Sequence, residues 1–152
     1  MKAIGTIDSS KNFIDFEIEK PILRPHDLLI KVKAISINPV DTKVRKGIKG
    51  NLAEPKILGW DGLGTVVELG SETKLFKVGD KVFWAGDVTR SGSNAEFQAV
   101  DERIVGFAPK NLTKEKAVAM PLTSLTAYEL LFEKLEVTDE SKGKSLLIIN
   151  GA

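Results

Sequence analysis

Apolar and polar residues alternate over several short stretches of this chain, and a sustained helical period enters after residue 113. Residues 2–7 and 13–19, the second alternating through Asp15-Phe16-Glu17-Ile18-Glu19, predict two strands joined by a polar turn at 8–12, hence a hairpin. After Pro21 and Pro25, residues 28–35 place lysines on alternate positions, the pattern of a strand with one wet face. Asn38-Pro39-Val40-Asp41 closes that strand. Residues 41–47 predict a short helix capped by Asp41 and ended by Gly47, and 49–56 read as loop. From Thr65 the residues turn β-branched and apolar until Gly70-Ser71-Glu72 breaks the run, and Val78-Gly79-Asp80-Lys81-Val82 repeats that logic of turn followed by strand. Residues 86–94 read as a polar surface loop with room to move. Further strands are predicted at 95–100 and 104–108, the last ended by Pro109.

Beyond residue 113 the texture changes. Leu122, Leu125, Tyr128, Phe132 and Leu135 recur at helical spacing after Pro121, which predicts two helices following the strands. Leu146-Leu147-Ile148-Ile149 is a continuous apolar run of the kind a doubly covered parallel strand shows, and it implies neighbours on both sides. The expected fold class is therefore mostly β with C-terminal helices (α+β).

Composition narrows the function classes. The chain has 152 residues, 42% hydrophobic and 28% charged, with 22 basic and 21 acidic residues interleaved to a net charge of +1. That balance leaves no electrostatic footprint for nucleic acid or an anionic membrane surface. No cysteine occurs, which excludes disulfides and thiolate chemistry. With no apolar run of membrane-spanning length and no secretion signal in Met1-Lys2-Ala3-Ile4-Gly5, the protein reads as cytoplasmic.

Two glycine patterns invite phosphate readings and fail them. Gly143-Lys144-Ser145 lacks the glycine five positions earlier, where Thr138 stands, and it precedes a strand instead of following one. Gly62-x-Gly64 meets Val67 at the third fingerprint position, with no helix after it, so backbone crowding explains its glycines better. His26, the only histidine, lies in a proline-flanked turn and reads as a solvated turn residue.

The segment Gly59-Trp60-Asp61-Gly62-Leu63-Gly64-Thr65-Val66, answered by Val78-Gly79-Asp80-Lys81-Val82, resembles the catalytic domain of the medium-chain dehydrogenase/reductase superfamily. Asn38-Pro39-Val40-Asp41, Ala95-Glu96-Phe97, Pro121 and Thr126-Ala127-Tyr128 extend the resemblance over nearly the whole chain, to the superfamily's zinc-free quinone oxidoreductase branch. It implies a GroES-like barrel over residues 1–122. A connecting helix over 123–152 then leads to a chain cut at the first strand of a Rossmann domain, with Asn150-Gly151-Ala152 opening the dinucleotide turn.

Trp60 occupies the position of a zinc-ligand histidine and Asn38 lies near that of a cysteine, so no metal site is expected. The implied activity is NADPH-dependent hydride transfer to a small-molecule quinone or enone, by a full-length homodimer. The implied residues are Asn38 and Tyr128 as hydrogen-bond donors at the reacting oxygen, Trp60 and Asp41 at the substrate pocket, and Thr126, Asn150 and Gly151 at the cofactor. On the residues alone, Asn38 and Asp41 are equally a turn and a helix cap, and Tyr128 and Trp60 are equally core. Two rival readings remain: a non-catalytic GroES-like binding or assembly module, and a zinc-type alcohol dehydrogenase, which the missing ligands oppose.

Overall fold

Eight strands carry the fold: β1 (Lys2–Asp8), β2 (Ile14–Glu17), β3 (Asp27–Ser36), β4 (Asn51–Ile57), β5 (Asp61–Leu69), β6 (Lys81–Ala85), β7 (Phe97–Asp101) and β8 (Val105–Phe107). All pair antiparallel. One sheet runs in the order β2-β1-β4 and the other in the order β7-β3-β5-β6-β8. The computed structural model describes residues 1–9 and 12–149. It divides into two units, Met1–Leu122 and Thr123–Ala152. Among the described residues, strand pairing forms two separate sheets and no closed ring where a barrel was expected.

The predicted hairpin is present, with Lys2 opposite Glu17 and Gly5 opposite Ile14. The stretch expected to be loop at 49–56 is instead β4, on the edge of the smaller sheet. Its Pro55 removes a backbone donor, and an edge strand can leave that position unpaired. The helix expected at 41–47 is α1 (Pro39–Gly47), one half-turn longer; its N-cap is Asn38, with Pro39 at the first helical position, where a missing N–H costs nothing. Asp41 is thus in the first turn and is not the cap.

The core of the larger sheet is Leu28, Ile30, Val66, Val82, Trp84 and Val100. These inward residues of β3, β5, β6 and β7 meet because the sheet buries one face of each strand. A second cluster joins Leu63 of β5 to Ala117 and Val118 of the short helix α2 (Lys114–Val118). Gly62 explains itself here: a Cβ at that position would lie 2.2 Å from the Trp84 ring. Crowding is the reason for this glycine, as its failure as a dinucleotide fingerprint suggested.

The loop expected to move at 86–94 is tethered. Arg90 forks onto the buried Asp27 carboxylate at 2.8 and 2.6 Å. The amides of Gly92, Ser93 and Asn94 donate to the carbonyls of Ile57, Gly59 and Leu58, and Ala3 bridges to Ala95, so this loop stitches the two sheets together.

The helix α3 (Pro121–Tyr128) continues into a π-helical turn at Glu129–Lys134. The stripe predicted from Leu125, Tyr128, Phe132 and Leu135 is about half exposed. Leu146 to Ile149 form no strand. Their side chains are exposed, because a parallel strand has no existence without paired neighbours and none is paired to it among the described residues. No helix among the described residues is long and apolar enough to cross a membrane.

Candidate active site

An uncharged run from Ile57 to Val67 contains one ionisable residue, Asp61, at the start of β5. It is fully buried. A carboxylate out of water must find donors, and Asp61 finds two: its Oδ2 accepts from the Asn38 side-chain amide at 2.8 Å, and its Oδ1 from the backbone N–H of Leu122 at 2.8 Å. Its main-chain carbonyl accepts from Ser93 Oγ at 2.8 Å. Burial pushes the Asp61 carboxyl above the ordinary range, the two N–H donors offset part of that, and the nearby Asp41 charge adds to it. Each oxygen thus holds one N–H donor, and the Oδ2 contact fixes the orientation of the Asn38 side chain.

Asn38 stands between two carboxylates. Its backbone N–H donates to Asp41 Oδ2 at 2.7 Å, half of a capping arrangement at the start of α1, while its side chain reaches Asp61 on β5. The amide nitrogen carries two protons. One is committed to Asp61, and the pairing fixes the direction of the other. Asn38 is buried, and so is Asp41.

Next to this pair lies a cleft of about 900 Å³ between the sheets, within the first unit. Asp41, Thr42, Ser93 and Asn94 line it, together with apolar side chains of β3 such as Val32 and Ile35; Asn38, Asp61 and Trp60 do not. Trp60 is buried, at 8% exposure, and its carbonyl accepts from Gly86 N–H at 2.8 Å. It therefore sits in the packed interior next to the glycine turn and not on the wall of this cleft. The turn itself depends on Gly59, whose φ of 109° belongs to the left-handed side, with Ser93 packed where a Cβ would go.

Tyr128 lies on α3, 57% exposed, with its ring 4.9 Å from that of Phe132. Thr126 is exposed on the same helix. Asn150 and Gly151 fall outside the described residues. Within the first unit, Asn38 and Asp41 are brought together. Asp61, which holds the Asn38 side chain, was visible as the lone charge in an apolar, glycine-rich run. His26, expected to be solvated, is partly enclosed: its Nε2 lies 3.2 Å from Glu72, and its Nδ1 3.6 Å from the buried Glu102.

An antiparallel two-sheet scaffold with an Asn-Pro-x-Asp helix start locked to a buried acid on the glycine strand defines a class. Residues 24–121 match the alcohol dehydrogenase GroES-like domain. The chain belongs to that family, within the medium-chain dehydrogenase/reductase superfamily. A zinc-type alcohol dehydrogenase-like protein of Staphylococcus epidermidis is 44% identical over the whole of this chain and 47% of its own length. The 2-methylene-furan-3-one reductase of Solanum lycopersicum is 38% identical over 97% of this chain and 39% of its own. In structure, the Escherichia coli quinone oxidoreductase complexed with NADPH matches with a TM-score of 0.76 at 26% identity, covering 88% of this chain and 41% of the other. The chain thus spans about half the length of the curated relatives it matches.

Proposed function

We propose that this chain is the acceptor-binding portion of a zinc-independent, NADPH-dependent oxidoreductase that reduces quinones or α,β-unsaturated carbonyls and works as a full-length homodimer. The observation that carries this reading is the Asn38 amide held at 2.8 Å by a buried carboxylate whose other oxygen accepts from the Leu122 N–H. When hydride adds to an electron-poor alkene or quinone, negative charge collects on the carbonyl oxygen. A donor already aligned toward that oxygen stabilises it without reorganising. Asn38 supplies such a donor through its second amide proton, and Asp61 prevents the amide from turning away. Tyr128, on the exposed side of α3, is the second donor in this reading.

A reduced nicotinamide supplies the hydride when bound. Thr126, exposed on α3, offers a small side chain against the face of such a ring. Zinc does not fit the residues present. Among the described residues no three of His, Cys, Asp or Glu are grouped to hold a metal. Asn38 and Trp60 offer no thiolate or imidazole where ligands would stand, and both Asp61 oxygens are taken by N–H donors. The names of the tomato reductase and the bacterial quinone oxidoreductase support the acceptor class.

The test is Asn38→Ala in the full-length protein. Turnover should fall on the order of 10²-fold with NADPH affinity unchanged, since the interaction strengthens as charge develops. A variant with a lower melting temperature but unaltered single-turnover hydride transfer would reduce Asn38 to a helix cap.

A further inference from the structure

Arg45 follows Asn38 by seven residues and Asp41 by four, so the three share one face of α1. Arg45 lines the cleft between the sheets. Its guanidinium carbon lies 4.4 Å over the centroid of the Phe13 ring, which also lines the cleft. A guanidinium stacked in this way has one face covered while its five N–H donors radiate in its own plane. The Nε of Arg45 is buried with no acceptor among the described residues. Elsewhere in the chain Arg90 and Arg103 each fork onto an aspartate. Arg45 makes no such pair among the described residues.

Four acids line the cleft: Asp15 and Glu17 lie exposed on β2, and the other two are committed elsewhere. Asp41 accepts from the Asn38 amide, and Glu96 accepts from the Lys2 backbone N–H at 2.7 Å. Phe13, Ile35 and Ile37 supply the apolar part of this wall. A partly dehydrated cation with unfilled in-plane donors at the edge of an apolar cleft is complementary to a planar ligand carrying a carboxylate, because a carboxylate accepts two parallel N–H bonds from a guanidinium. We infer that this cleft binds a ligand with a flat apolar body and a carboxylate, the carboxylate paired to Arg45 and the body packed against Phe13, Ile35 and Ile37. That this ligand is also the hydride acceptor rests on the function proposed above; its binding does not.

The probes are 2-naphthoate and its neutral isostere 2-naphthamide, titrated calorimetrically into the full-length protein, its Arg45→Gln variant and its Arg45→Lys variant. The protein should bind naphthoate at least about tenfold more tightly than naphthamide, the scale of a charge-assisted hydrogen bond. Arg45→Gln should abolish that preference while leaving naphthamide affinity unchanged, and Arg45→Lys should restore part of it, because an ammonium lacks the planar fork. Equal affinities for the two probes, no binding of either at millimolar concentration, or a preference that survives Arg45→Gln would overturn the proposal. Should the variants fail to fold, the comparison of the two probes on the unaltered protein still decides it. Neither probe is reducible, so failure of the oxidoreductase reading would leave these results standing. Quinone turnover unaffected by Arg45→Gln, alongside a lost naphthoate preference, would instead separate this site from the chemistry and overturn only the assignment of its ligand as the acceptor.

Discussion

Replacing Arg90 by Met would strand the Asp27 carboxylate in the interior. Asp27 is 1% exposed and receives both arms of the guanidinium, with one further bond from the Arg24 N–H at 3.0 Å. Burial alone would raise its pKa, but the Arg90 fork, the Arg24 amide and the two positive charges together hold it below the ordinary value. Removing one partner of a buried pair costs about 3–5 kcal/mol. Protonation sets a ceiling, since at pH 7 neutralising a carboxyl of ordinary pKa costs about 4 kcal/mol at roughly 1.4 kcal/mol per pH unit. The expected loss at pH 7 is therefore about 3–4 kcal/mol.

The pH dependence has a definite sign. In the unaltered protein the depressed Asp27 pKa contributes stability that is present above the ordinary carboxylate pKa and lost as pH falls through the folded value. In Arg90→Met the Asp27 pKa is raised, so its unfavourable contribution is absent below the ordinary pKa, grows as pH rises from there to the raised value, and is complete above it. The gap between the two proteins should narrow steadily from pH 7 to pH 4. Urea unfolding followed by the fluorescence of buried Trp84 and Trp60 reads both quantities. Asp27→Leu combined with Arg90→Met should recover most of the loss. A cost under about 1 kcal/mol that is the same at pH 7 and pH 4 would refute the reasoning and equate this pair with an exposed one.

Other outcomes follow from the glycine strand and the ligand set. Gly62→Ala should destabilise by about 3 kcal/mol, because its Cβ would press on a Trp84 ring that is buried and hydrogen-bonded to Gln98 at 2.9 Å. Gly47→Ala, with nothing within 4 Å of the new atom, should be neutral or stabilising by up to about 1 kcal/mol; equal effects at the two sites, read by urea melts, would dismiss crowding as the cause. Protein purified without added metal should contain far less than one zinc per chain by elemental analysis, and a stoichiometric zinc that survives chelation would contradict the ligand argument.

Strands that declare themselves by alternation, β1, β2 and β3, were legible because each satisfies its pattern locally. β4 was not. Asn51-Leu52-Ala53-Glu54-Pro55 shows no alternation, and the strand exists because β1 offers an unpaired edge more than forty residues earlier. Leu146 to Ile149 show the converse: a run with the composition of a buried strand that has no partner to pair with among the described residues. The same distinction governs the site. Asn38 and Asp41 could be picked out because they share one turn of chain. The geometry that locks Asn38 depends on Asp61, and the setting of Asp61 depends on Leu122 and Ser93, three segments whose meeting is a property of the sheets.

That last dependence reaches into synthesis. The acceptor left on Asp61 is closed by an amide sixty-one residues later in the chain. At roughly 5–20 residues per second, a nascent chain would wait about 3–12 s between making Asp61 and making Leu122. During that interval the two sheets can pair in part, but the acid at their centre keeps an unfilled lone pair and must stay hydrated. The sealing of Asp61 therefore lags behind its own synthesis by that interval, and the length at which a stalled nascent chain first protects β5 from proteolysis would report it.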